Sequence, residues 1–243
     1  MGYVFDHKDA VECERWISLS KNQALLAIEN RLMIDLLNPL PAASLVDIGC
    51  GIGAGLAPFF DRKIDLTAID PSPYMLDVAK RLWGNRVTWR REIAEDLPFS
   101  DNQFNYACLN HTLEYVDNPR QAIQEACRVA KDRLFIGFSN RYAIMGMHRR
   151  IQGIFTATVY NRARFFSVWE LKRLVRDILG DVPVVWRTLG QFSAASRRTE
   201  QLSVVQHFPF GAYAAMVVTL KPRYKTRPLS LTCQQRAITG LCF

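Results

Sequence analysis

What this 243-residue chain lacks excludes several classes of protein. No apolar run approaches the roughly 20 residues that cross a bilayer. The opening stretch, Met1-Gly2-Tyr3-Val4-Phe5-Asp6-His7-Lys8, has neither the basic segment nor the apolar core of a secretory signal, so none is expected. The six cysteines (13, 50, 108, 127, 233, 242) form no Cys-x-x-Cys pair and the histidines show no ligand-like spacing, which argues against a zinc site. Isolated thiols at this density suit a reducing compartment, so a cytoplasmic protein is expected. Internal repeats are also missing. What remains, 49% hydrophobic and 22% charged residues, is ordinary for a soluble domain, and the length suffices for one sizeable α/β core.

Acidic residues are plentiful early and scarce late. Residues 1–127 carry 12 Lys/Arg against 18 Asp/Glu, whereas 128–176 carry 11 against 2. Residues 177–220 balance at 3 and 3, and 221–243 hold five basic residues and no acidic one. A basic stretch of this kind marks an anionic partner (nucleic acid, membrane or small molecule) or a solvated arginine-rich face. An appended RNA-binding module or an aromatic-rich basic run is missing, which argues against nucleic acid.

The hydrophobic pattern predicts helices over 9–38, with Leu25, Ile28, Leu32 and Leu36 at three- and four-residue steps and a stop at Asn38-Pro39-Leu40-Pro41. Strands then alternate with helices. Strands are predicted at 44–48, 64–69, 86–91, 104–109 and 134–138, and helices at 73–83 and 118–130, the latter with Ala122, Ile123, Ala126 and Val129 inward. Ser167 to Leu179 is a further helix, with Ser167 and Glu170 in capping-box spacing. Val182 to Leu189 and Tyr213 to Leu220 form an antiparallel pair at one edge. The expected fold is therefore α/β: a Rossmann-like, doubly wound, mostly parallel sheet with an antiparallel edge hairpin, N-terminal helices, and a helical or loop insertion after strand five. One domain covers 1–222. Residues 141–166 and 190–210 are expected to form a substrate lid or insertions, with 190–208 a polar loop, and 223–243 a basic, disordered tail.

The chain turns on Leu45-Val46-Asp47-Ile48-Gly49-Cys50-Gly51-Ile52-Gly53. A buried strand ends there in glycines at alternate positions, and a helix-compatible stretch follows. Such a turn lets backbone approach a ligand, and free N–H groups there favour an accepting group. Gly49, Gly51 and Ala54 also satisfy the dinucleotide pattern G-x-G-x-x-G/A, so an NAD(P)-dependent oxidoreductase is one reading. Asp47 points elsewhere, because a carboxylate beside the turn needs a cationic or donor-rich partner that a pyrophosphate does not offer. The ammonium and sulfonium of S-adenosylmethionine do. Asp70, 21 residues beyond Gly49 at the end of the second strand, suits a ribose diol in either case, or an Asx-turn before Pro71.

Val46-Asp47-Ile48-Gly49-Cys50-Gly51-Ile52-Gly53 resembles motif I of the class I S-adenosylmethionine-dependent methyltransferases. Ala68-Ile69-Asp70-Pro71-Ser72 with Met75-Leu76 resembles their next motif. Ala94-Glu95-Asp96-Leu97-Pro98-Phe99 followed by Asp101-Asn102-Gln103-Phe104-Asn105 is similar to a signature of the ubiquinone/menaquinone-methylase-like branch. Leu113-Glu114-Tyr115-Val116 and Glu125-Ala126-Cys127-Arg128-Val129-Ala130-Lys131 match the segments that follow strand four. The resemblance covers about residues 40–140 in order and spacing. It departs at Ile93, where the branch has an acidic residue for the adenine amino group, and at Asp132-Arg133-Leu134, where a Pro-Gly-Gly turn is usual.

The resemblance implies S-adenosyl-L-methionine as cofactor. Its binding residues would be Asp47, Gly49, Cys50, Gly51 and Gly53 at the methionine end, and Asp70, Pro71, Ser72 and Met75 at the ribose. Ala94 and Glu95 would lie at the adenine and Asn110 beside the reacting end. Methyl transfer from a sulfonium needs alignment more than acid–base machinery. His111, after strand four, is the candidate base or acceptor contact, and a structural histidine bonded to loop backbone is the alternative. The expected activity is methyl transfer to a small molecule that is lipid-like, quinone-like or anionic, with contact to an anionic membrane surface as a further expectation. A non-catalytic cofactor-binding scaffold is the alternative.

Overall fold

The first strand is β1 (Ser44–Ile48), whose residues from Leu45 onward are all buried. In the computed structural model, which describes residues 2–143, 162–190, 203–206 and 208–221, seven further strands join it in one sheet. They are β2 (Asp65–Ile69), β3 (Thr88–Arg90), β4 (Phe104–Asn110), β5 (Ala130–Ser139), β6 (Val184–Gly190), β7 (Ser203–Gln206) and β8 (Tyr213–Thr219). Their order across the sheet is β3-β2-β1-β4-β5-β8-β6-β7. The first five are parallel. β8 runs against both β5 and β6, and β7 runs against β6.

Two helices precede the sheet. α1 (His7–Ser18) starts at a reciprocal cap between Asp6 and Asp9, and α2 (Ser20–Leu37) follows an extended break at Leu19. Of the expected stripe on α2, Leu32 and Leu36 are buried, Ile28 packs against the core and Leu25 is half-buried, while Asn22, Glu29 and Met33 widen the inward face. α3 (Ala57–Phe60) and α4 (Pro73–Trp83) link the next strands, and Ser72 Oγ caps α4 by accepting from Met75 N at 3.2 Å. α5 (Pro119–Val129) buries Ala122, Ile123, Ala126 and Val129 as its periodicity requires. With α6 (Val168–Leu179) it covers one sheet face, while α2 and α3 cover the other.

Several expectations change. β3 is shortened by a 3₁₀ turn at Gly84–Arg86. β5 begins at Ala130, directly at the end of α5, because no Pro-Gly-Gly turn separates them. Within the expected 190–208 loop, β7 pairs with β6 through Gly190↔Ser203 to Arg187↔Gln206. The α6 cap keeps Ser167 Oγ on Glu170 N at 3.2 Å, but the Glu170 carboxylate faces Arg141 at 3.1 Å and Arg164 at 3.3 Å. Most of the 141–166 insertion, the 191–202 part of the second, and the 223–243 tail lie outside the described residues.

Candidate functional site

The sheet order reverses between β1 and β4, and in open α/β sheets the crevice outside the carboxyl ends at that point receives the ligand. The turn after β1 forms one wall. Gly49 (φ +72°) and Gly51 (φ +53°) are in the left-handed region. A Cβ on Gly49 would lie 2.3 Å from Thr112 Cγ2, whereas one on Gly51 would meet nothing within 4 Å. Thr112 is fixed by its hydroxyl, which donates to Ile48 O at 2.7 Å. Gly49 is thus required by packing, and Gly51 borders open space. Gly49 and Cys50 N–H both donate to Ile69 O (2.8 and 2.9 Å), tying the turn to β2.

Asp70, from the end of β2, accepts from Gly51 N at 2.8 Å and from Ser72 N at 2.9 Å. Each oxygen retains a lone pair for a further donor. Burial raises its pKa, and the two N–H groups partly offset this. Asp47 is 7% exposed and, among the described residues, accepts no hydrogen bond. Burial first, and then the Asp70 charge, push its pKa up to about 7. A buried carboxylate left without a donor is costly. A cationic ligand would relieve it. Ser72 donates to Phe5 O at 2.7 Å and Met75 is buried against Ala10, Ile52 and Val78, so both brace the wall after β2 with the N-terminal segment.

The expected adenine edge comprises Ala94 and Glu95. Ala94 is buried and its neighbour Ile93 is exposed. The Glu95 carboxylate accepts from Asp117 N at 2.9 Å and Asn118 N at 3.2 Å, and the Glu95 carbonyl accepts from Gln121 Nε2. Its Oε1 is therefore held at the start of α5. Pro71 offers its carbonyl to Arg91 Nε at 3.1 Å. The thiol of half-buried Cys50 donates to the Gly51 carbonyl at 3.6 Å, and burial holds its pKa well up.

The opposite wall follows β4. Asn110 Oδ1 accepts from Tyr213 Oη at 2.8 Å. His111 (φ +55°) donates its backbone N–H to Gly137 O at 2.8 Å. Its Nδ1 is 3.3 Å from Glu114 Oε1 and its Nε2 is 3.5 Å from Glu29 Oε2. Burial lowers the imidazole pKa, but the Glu114 and Glu29 carboxylates outweigh it and raise it to about 10. The ring is 39% exposed, so solvent reduces the effect without reversing it. A carboxylate beside each nitrogen favours the protonated form of His111 and opposes its use as a base. Sequence reasoning missed Glu29, Thr112 and Tyr213. Glu29 had a signal: a lone charge within the apolar steps of α2.

Residues 46–135 match the family described as a methyltransferase domain. An uncharacterized protein of Methanocaldococcus jannaschii is 30% identical over 178 residues, covering 72% of this chain and 80% of that protein. The chain belongs to the class I S-adenosylmethionine-dependent methyltransferases. A demethylmenaquinone methyltransferase of Renibacterium salmoninarum is 33% identical to this methyltransferase over 101 residues, 42% of each chain. The match thus spans less than half the length of that curated relative. A Thermotoga maritima methyltransferase structure, described as a possible histamine N-methyltransferase, is 27% identical with a TM-score of 0.69, covering 88% of this chain and 97% of that one.

The residues present fit the cofactor of this family. Asp47 offers an unpartnered buried carboxylate, Gly51 leaves open space, and Asp70 has acceptor capacity for a diol. Among the described residues, no helix is long and apolar enough to cross a membrane.

Proposed function

We propose that this methyltransferase transfers a methyl group from S-adenosylmethionine to a neutral, apolar, quinone-like small molecule. The unpartnered carboxylate of Asp47 beside the glycine turn carries the cofactor reading. Asp47 would hold the ammonium of the methionine moiety and Asp70 the ribose hydroxyls. When bound, the cofactor supplies an activated methyl group on a sulfonium. The protein contributes alignment and exclusion of water, which suffice for in-line displacement when the acceptor is held in register. Asn110, whose Oδ1 is fixed by Tyr213, lies at the edge where the two walls meet.

The acceptor reading rests on charge and on the relatives. Among the described residues around the crevice, the carboxylates of Asp47, Asp70, Glu29 and Glu114 outnumber the imidazole of His111, which disfavours an anionic acceptor. The named activity of the Renibacterium relative supports a quinone-like one. A cationic amine is the second reading, supported by the buried Glu29 and Glu114 carboxylates and by the description of the Thermotoga structure. Incubation with methyl-labelled S-adenosylmethionine and three acceptors (a demethylated naphthoquinol, histamine and an aromatic carboxylate) separates them. Label in the quinol alone is the expected result, and label only in the carboxylate contradicts the charge argument.

A lipid-like acceptor would be drawn from a membrane surface. Beside the carboxyl end of β5, a recess of about 350 Å³ is lined by Arg141, Tyr142, Ser167, Trp169, Glu170 and Arg173, with Glu170 pairing Arg141. Tyr142 and Trp169 are exposed, as is the neighbouring Phe210, and basic-plus-aromatic surfaces favour anionic interfaces. Binding to anionic liposomes that weakens with salt and with Trp169→Ala supports this contact; salt-independent or absent binding removes it.

A further inference from the structure

His111 and Glu29 meet where the N-terminal helices reach the crevice. α2 packs on one sheet face, and its middle turn reaches the carboxyl edge, where Asn30 Nδ2 donates to Ala54 O at 3.1 Å, just beyond the glycine turn. Around Gly55, the Asn110 amide, the Asn30 carbonyl and the Met33 methyl all lie within 4.0 Å of where a Cβ would stand. One turn of α2 thus covers the region between the two walls. Glu29, on that same turn, is buried, and its partner among the described residues is His111. A buried carboxylate in an apolar stripe opposes packing unless a cation meets it.

The cation is held from several sides. The left-handed backbone of His111 is fixed by Gly137 O, and Glu114 grips Nδ1. The Glu114 oxygen that does so also accepts from Ser139 N at 2.8 Å. The Tyr213 ring stands 5.1 Å from the imidazole, and its hydroxyl holds Asn110. The same imidazolium therefore bears on α2, the turn after β4, β5 and β8.

We propose that Glu29 and His111 form a charged strut that holds α2 closed over the glycine turn, so that both act as positioning residues for methyl transfer. The inference rests on the methyltransferase reading for its purpose but not for its test. His111 holds its proton for Glu29 and does not take one from an acceptor. Around it stand the Glu29 carboxylate from α2, the Glu114 carboxylate from the turn after β4, and the Tyr213 hydroxyl-bearing ring from β8. The sign of the pH dependence follows. A raised imidazole pKa adds stability that is complete below about pH 6.5, the ordinary value, and is lost as pH rises towards the folded value.

The test uses the whole chain. Histidine imidazole resonances, with His111 assigned by His111→Gln, are titrated in the wild type and in Glu29→Gln, and amide exchange is followed over residues 20–37. The expected results are a wild-type His111 that titrates above pH 8, a fall of about one unit in E29Q, and faster exchange in α2, with one unit equal to a tenfold change in proton affinity. S-adenosylhomocysteine affinity should weaken about tenfold in both variants. A wild-type His111 titrating near pH 6.5 overturns the strut even if E29Q fails to fold, as does an E29Q protein with unchanged titration and exchange. If the wild type does not bind S-adenosylhomocysteine, the methyltransferase reading fails, while the titration and exchange still decide the strut.

Discussion

Gly49→Ala and Gly51→Ala should have opposite profiles, although both glycines have positive φ in the same turn. At Gly49 the new methyl would lie 2.3 Å from Thr112 Cγ2 and 2.8 Å from its Oγ1. Thr112 has to move, and its 2.7 Å bond to Ile48 O is buried. The left-handed backbone costs an alanine about 1–2 kcal/mol. Losing the buried hydrogen bond adds about 1–2 kcal/mol. The sum, about 2–4 kcal/mol, lowers Tm by roughly 5–15 °C in a chain of this length. Gly51→Ala carries only the backbone cost of about 1–2 kcal/mol, because no atom stands within 4 Å of its methyl. That methyl instead fills space assigned to the cofactor. Urea unfolding and calorimetric titration with S-adenosylhomocysteine of both variants read the two effects separately. G49A should lose more stability, and G51A should lose more affinity than its stability loss accounts for. A G49A protein as stable as wild type refutes the packing argument, and a G51A protein with native affinity refutes the assignment of the open space.

Other substitutions probe the remaining contacts. Asp47→Asn should be more stable than wild type at pH 8, by an order of a few kcal/mol, and equal to it near pH 4. The sign follows because the folded pKa is raised to about 7, so wild-type stability is lost as pH climbs from the ordinary carboxylate value through 7; urea unfolding across pH 4–8 checks it. The same variant should bind S-adenosylhomocysteine more weakly. Glu95→Ala removes the acceptor for Asp117 and Asn118 N–H and should cost about 1 kcal/mol in urea unfolding without changing cofactor-product affinity. Affinity loss there would return Glu95 to the adenine edge. Tyr213→Phe frees Asn110 and should cost about 1 kcal/mol, with weaker S-adenosylhomocysteine binding by calorimetry.

Local chemistry made much of the architecture legible. The inward set of α5 follows from its 3.6-residue period, and α4 begins and ends where Ser72-Pro73 and Gly84 direct. The glycine turn and Asp70 lie together because a parallel strand pair brings Ile48 beside Ile69. What could not be read depends on distant partners. β7 exists because β6 offers it a free edge, and its residues alone carry little strand pattern. Glu95 matches a family motif, yet its direction is set by the N–H groups before α5. His111 could be singled out by position, but its protonation depends on Glu29, 82 residues earlier, and on Glu114. Tyr213 reaches Asn110 only through the pairing of β8 with β5.

The central claim is that the turn at 49–53, with Asp47 and Asp70, holds S-adenosylmethionine and not a dinucleotide. Calorimetric titration of the full chain with S-adenosylhomocysteine and, separately, with NAD tests it most directly. The account predicts one S-adenosylhomocysteine bound per chain, weakened by Asp47→Asn, and no heat from NAD. Saturable binding of NAD with none of S-adenosylhomocysteine would contradict it.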